Sequence, residues 1–169
     1  MMWQGVGVFV LVAMAQQAVF EKKQRIIRLR SNGSPPELTL PRKCSFHVYL
    51  SHYWATGHYP AAHIQKEVQA LLPGCRAFHP DLVDDAMEHM LELEQYIAES
   101  LTVLVFLSNG FWSSANCLRE VREAVGETKP IILVCEPNVG RGGQPVALSK
   151  LECPEEVSAT IEPLRCTGI

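Results

Sequence analysis

A three-layer α/β fold, with a mostly parallel sheet covered by helices on both faces, is what this 169-residue chain predicts. Three features carry that expectation. Strand-like and helix-like periods alternate along the chain, the later strands are continuous apolar runs, and each run stops at a polar or Pro/Gly break. A net charge of −3 gives no reason to expect nucleic acid as a partner.

The elements follow in order. Phe46-His47-Val48-Tyr49-Leu50 reads as a strand that stops at Ser51-His52, and Ile64, Val68, Leu71 and Leu72 then repeat at helical spacing until Pro73-Gly74 ends the pattern. Cys75-Arg76-Ala77-Phe78 is a short second strand and His79-Pro80-Asp81 a break. Met87, Met90, Leu91, Leu93, Glu94 and Ile97 outline a helix reaching about Ser100. Leu101 to Leu107 is a third strand, and Pro130 to Cys135 a fourth, stopped at Glu136-Pro137. No convincing fifth strand follows. Beyond Gly140-Arg141-Gly142-Gly143-Gln144-Pro145 there is a short helical stretch around Pro154 to Ile161 and a brief tail, as a truncated or divergent C-terminus would give.

Between the third and fourth strands, Ser108 to Asn116 forms a polar turn and an amphipathic helix begins. Open α/β folds build ligand crevices from such parts, at the carboxyl ends of strands. On a 3.6-residue period Cys117, Leu118, Val121, Ala124 and Val125 form one apolar stripe, and Arg119, Arg122 and Glu123 fall opposite. Glu120 lands at the stripe's border. Partial burial there raises a carboxyl pKa, while the helix N-terminus favours the charged form, and the sequence alone does not sign the sum. The plain alternative is a residue that merely complements the helix dipole; Glu123 reads as solvated.

These residues resemble a known family. Phe46 to His52 looks like the first box of Toll/interleukin-1 receptor (TIR) domains, a strand ending in a Ser-His, Ser-Tyr or Ser-Phe turn. Ser108 through Glu120, ending in Cys117-Leu118-Arg119-Glu120, is similar to the TIR segment in which a Cys-Leu-x-Glu helix start carries the glutamate of enzymatic members. The resemblance covers roughly 44–137 and implies a flavodoxin-like sheet. It implies a signalling role in innate immunity through self-association or assembly with other TIR domains. In some members it also implies cleavage of NAD at the nicotinamide–ribose bond. By resemblance Glu120 is the catalytic carboxylate, which would stabilise an oxocarbenium-like transition state or hold the ribose hydroxyls. Ser51, His52, Tyr53, Trp54, Trp112, Asn116 and Cys117 are then the candidate contacts to NAD, a substrate rather than a cofactor. The match departs at Asn116, where enzymatic members carry tryptophan; Trp112 either substitutes for it or plugs the sheet's edge. Asp81, Asp84 and Asp85 supply the acidic loop after the second strand, but no glycine occurs from Arg76 to Asn109. A non-enzymatic scaffold or adaptor acting through TIR–TIR assembly is the alternative. A receiver-like phosphoacceptor is disfavoured, because the first and third strands end in Ser51 and Ser108 rather than aspartate.

The layout divides as 1–30, a hydrophobic helix with a basic flank; 31–43, a linker; 44–137, the TIR-like domain; and 138–169, a loop with an irregular or short helical tail. Trp3 to Phe20 is mostly apolar and is followed by Lys22, Lys23, Arg25, Arg28 and Arg30. Eighteen helical residues reach about 27 Å, enough for a marginal membrane span. The positive-inside rule then places the domain in the cytosol. A signal peptide ending near Ala13-Met14-Ala15 and a soluble helix are the rivals. The six cysteines are scattered and, in the cytosol, expected reduced. His52, His58 and His63 fall close together near Cys44, but their spacing matches no standard ligand pattern, and no metal site is expected. Asn138 to Gly143 contains Gly-x-Gly without the rest of a dinucleotide fingerprint and reads as a flexible loop.

Overall fold

The computed structural model describes residues 26–80, 93–161 and 167–168. Along the chain run β1 (Phe46–His52), α1 (Trp54–Leu71), β2 (Ala77–Phe78), α2 (Leu93–Ala98), β3 (Ser100–Leu107), α3 (Ala115–Gly126), β4 (Ile131–Cys135), α4 (Val146–Glu152), α5 (Glu155–Ile161) and β5 (Thr167–Gly168). The sheet is five-stranded, ordered β2-β1-β3-β4-β5, and every neighbouring pair is parallel. This is the 2-1-3-4-5 order of a flavodoxin-like doubly wound sheet, in which the strand order reverses between β1 and β3.

Strand alternation sorts the core into two. Tyr49, Val103, Val105 and Leu107 share one face with Leu93 and Ile97 of α2, Cys117, Val121 and Ala124 of α3, and Val157 of α5. Val48 and Leu50 point the other way, onto Ala61 and Ile64 of α1 and Ala77 of β2. Since side chains alternate with period two, consecutive residues of β1 belong to different layers. The register Tyr49↔Val103 and Leu50↔Leu104 carries that alternation across to β3.

Several expectations change. α1 starts at Trp54, ten residues before the apolar period becomes visible, because its buried face opens with Gly57, Ala61 and Gln65. Two of these are small, and the third hides its polarity by donating from Nε2 to Ala77 O at 2.8 Å. A fifth strand is present as the two residues Thr167–Gly168, paired with Val134 and Cys135, too short to leave a periodic signal. The segment 138–169, expected as a loop with an irregular or short helical tail, forms α5 where the sequence predicts a short helical stretch around Pro154 to Ile161; it adds the unexpected α4 and brings Val146, Cys153 and Val157 to the larger core. Arg122 of α3 clasps Glu156 of α5 at 2.6 Å. Cys135 is disulfide-bonded, contrary to the expectation of reduced cysteines, while Cys44, Cys75, Cys117 and Cys153 are free thiols.

Of the predicted helix from Met87 to Ser100 the part from Leu93 is observed; Met87, Met90 and Leu91, like Asp81, Asp84 and Asp85, lie outside the described residues. The apolar segment Trp3 to Phe20 also lies outside them. Among the described residues no helix is long and apolar enough to cross a membrane.

Candidate functional site

Helix α3 is positioned by its first turn. Ser114, in extended backbone, caps it by accepting a hydrogen bond from Cys117 N at 3.4 Å. The residues then buried are Cys117, Glu120, Val121 and Ala124, the i, i+3, i+4, i+7 set of one helix face. Glu120 therefore sits within the apolar stripe rather than on its border, with 5% of its surface exposed. Helical phase puts it one turn beyond Cys117 and one before Ala124, both in the core.

What meets it comes from β1. Tyr49 and Ser51 are two residues apart on one strand and so face the same layer as α3. Their hydroxyls pull the carboxyl pKa of Glu120 down, as do the charges of His52 and Arg119, but burial outweighs all of these and raises it to about 7. The direction left open by the sequence is thus upward. Glu120 Oε2, Ser51 Oγ and Tyr49 Oη are all buried and none completes a well-aligned hydrogen bond. The two hydroxyls act on the carboxylate by proximity, and one of its oxygens keeps acceptor capacity that burial makes costly to leave unused. Burial, then the neighbouring Glu120, lifts the Tyr49 phenol well above its ordinary range, so Tyr49 stays a neutral donor.

The other predicted site residues separate. Cys117 lies against the same cluster, but burial pushes its thiol up to about 12. Its Sγ donates to His52 O at 3.4 Å, so it ties α3 to the end of β1 rather than offering a nucleophile. Tyr53 is half-buried against the larger core and lies over Gly110, where an added Cβ would come within 2.8 Å of its ring. Gly110 has φ 85°, so the turn before α3 needs glycine for both conformation and space. Asn116 is half-buried in the first turn of α3. Trp112, only 5% exposed, packs edge-on to Phe111 at 5.0 Å between ring centroids. It is a core residue and leaves no indole face for a ligand. Trp54 is the opposite case, 67% exposed at the start of α1 with the His58 ring 5.9 Å away.

His52 follows Ser51 on β1 and so faces the α1 layer instead. There it meets His58 and His79, with ring centroids 6.1 Å and 4.5 Å away. His63, grouped with His52 and His58 on sequence spacing, is exposed and outside this cluster. Tyr49 and His79 are the residues that sequence reasoning missed: the first read as strand core, the second as part of a break. The period-two relation to Ser51 was the available signal for Tyr49. None existed for His79, because the pairing of β1 with β2 is not written in either strand.

Glu120, Ser51 and Tyr49 lie on the α3 side of the β1/β3 pair, the two strands between which the strand order reverses and at whose carboxyl ends doubly wound folds bind ligands. A carboxyl with a pKa near neutrality, beside two hydroxyl groups, can accept hydrogen bonds from a polyol or stabilise adjacent positive charge once ionised.

No family model and no curated protein matches this chain. Among solved structures, it is similar to a metazoan TIR-STING receptor from C. gigas, solved in complex with 2',3'-cGAMP. The TM-score is 0.55 at 15% identity, over 79% of this chain and 38% of that one. The likeness supports a TIR-like fold, and this chain spans well under half of the receptor chain it matches.

Proposed function

We propose that this chain is a TIR-type signalling module whose β1/β3 crevice cleaves NAD at the nicotinamide–ribose bond, with Glu120 as the essential carboxylate. The observation that carries the reading is a buried carboxylate with an uncommitted oxygen, set between two strand-borne hydroxyls at the switch point. As the glycosidic bond breaks, positive charge builds on the ribose; the ionised Glu120 stabilises it or holds the ribose hydroxyls, while the nearby Ser51 and Tyr49 hydroxyls favour the ionised carboxylate. Incubating the full chain with NAD at high protein concentration tests this. Nicotinamide is released by wild type and by Glu123→Ala, and release is lost in Glu120→Ala. No release by a folded wild type, or equal release by all three, overturns the assignment.

One observation favours a second reading, a non-enzymatic module that works by TIR–TIR assembly. Trp112 is committed to the core and Asn116 replaces the expected indole, so neither of these positions supplies a stacking surface beside Glu120. A folded wild type that self-associates without cleaving NAD supports that reading.

Membrane attachment through Trp3 to Phe20, with the domain on the cytosolic side of its basic flank, belongs to the same proposal. The disulfide at Cys135 runs against a reducing cytosol. Because Cys135 is buried, acid quenching of cells followed by alkylation under denaturing conditions separates the two placements: modification of Cys135 marks a reducing, cytosolic setting, and protection an oxidising one.

A further inference from the structure

On the α1 side of the sheet, three histidines from three elements converge. His52 ends β1, His79 directly follows β2, and His58 lies one turn into α1. Their convergence follows from the register. Val48 and Ala77 are partners, as are Tyr49 and Phe78, so His79 takes the same face of the sheet as Ala77, which is also the face of Leu50 and His52. Gly57 lets the first turn of α1 settle onto this face, since a Cβ there would lie 3.2 Å from the His52 Cβ and 3.1 Å from the Phe106 ring. That close approach brings His58 beside the other two rings.

The cluster is dense and sheltered. One nitrogen from each ring falls within 4.8 Å of the others. His52 and His79 are 8% and 2% exposed, and His58 is half-buried on the open side. A tetrahedral zinc ion with bonds of about 2.0–2.1 Å sets its nitrogen ligands about 3.3 Å apart. Ligation therefore requires the three imidazoles to draw together from that spread, by χ rotation within the frame that brings them side by side.

We propose that His52, His58 and His79 form a binding site for a divalent transition metal, zinc by ligand type. Three neutral imidazoles on a rigid strand-and-helix frame are a ligand set suited to zinc, and the half-buried side at His58 leaves the fourth position to water. The site is separate from Glu120: it lies on the opposite face of β1 and uses none of the residues that surround the carboxylate except through His52, which borders both.

The test uses the chelator-treated full chain and Co²⁺ as a spectroscopic probe. Wild type takes up one equivalent with the visible absorption of a four-coordinate ion, and Zn²⁺ displaces it. His63→Ala behaves as wild type, whereas His58→Ala weakens binding by at least roughly 100-fold, above what loss of a merely supporting residue costs. Imidazole NMR of the wild type with Zn²⁺ keeps the result independent of how the variants fold: His52, His58 and His79 resonances shift together and His63 does not. No stoichiometric uptake by wild type, shifts elsewhere, or full-strength binding by a folded His58→Ala overturns the site.

Discussion

The two faces of β1 carry different chemistry within a single turn of sequence. Toward α3, Tyr49 and Ser51 approach a buried carboxylate; toward α1, His52 joins two further imidazoles. A Ser-His pair that reads as one motif is therefore two half-sites back to back, sorted by the alternation of a strand. The burial on each side is similar, but the consequences differ. Burying Glu120 disfavours its charged form and prepares an acid–base group near neutrality. On the other face three imidazoles are brought together by three different elements, with one nitrogen of each within 4.8 Å of the others.

The sharpest break between the faces is catalytic. Glu120→Ala lowers nicotinamide release by roughly 100-fold or more, the scale of a lost electrostatic or general acid–base group, while Glu123→Ala on the same helix leaves it unchanged. A discontinuous NAD assay reads both.

Stability sharpens the contrast between the aromatic residues of the two faces. Trp112→Ala removes a core indole and costs about 3–5 kcal/mol. Trp54→Ala, on the exposed start of α1, stays within about 0.5 kcal/mol. Urea melts at neutral pH distinguish them.

Glu120→Gln sharpens the carboxylate side by itself. The folded-state pKa of Glu120 is raised from 4.5 to about 7, so the stability it contributes is present in full below pH 4.5 and lost as pH rises to about 7. Above that pH the glutamine variant is more stable than wild type by about 3 kcal/mol, and below pH 4.5 the difference vanishes. A residue that is inactivating to replace yet stabilising to neutralise has a functional cost built into the fold. Ser51→Ala gives the smallest effect. It deletes a hydroxyl that lowers the Glu120 pKa, so the pH dependence of NAD cleavage moves toward higher pH.

The larger features of this fold were legible because they have periods. Continuous apolar runs located β1, β3 and β4, and the stripe from Cys117 to Val125 placed Glu120 on the correct helix with Glu123 outside the buried set. What escaped had no local period to show. β5 is two residues long, the buried face of α1 begins with glycine, alanine and glutamine, and α5 reaches the core chiefly through Val157. In the site, the sequence supplied Ser51, His52 and Glu120 but not Tyr49 or His79. Their roles depend on which strand lies beside which, and order in the sheet is a tertiary property. Trp112 was ambiguous for the same reason, since a turn aromatic can serve a ligand or a core, and only the packing of Phe111 and α3 decides.

The central claim is that Glu120 acts as an ionised carboxylate at the β1/β3 switch point. The pH profile of nicotinamide release by the full chain, for wild type and Glu120→Gln, tests it most directly. Wild-type activity climbs tenfold per pH unit at low pH and levels off above about pH 7, where Glu120 is ionised, and Glu120→Gln is inactive throughout. Retained activity in a folded Glu120→Gln, or a folded wild type that releases no nicotinamide at any pH, contradicts the account.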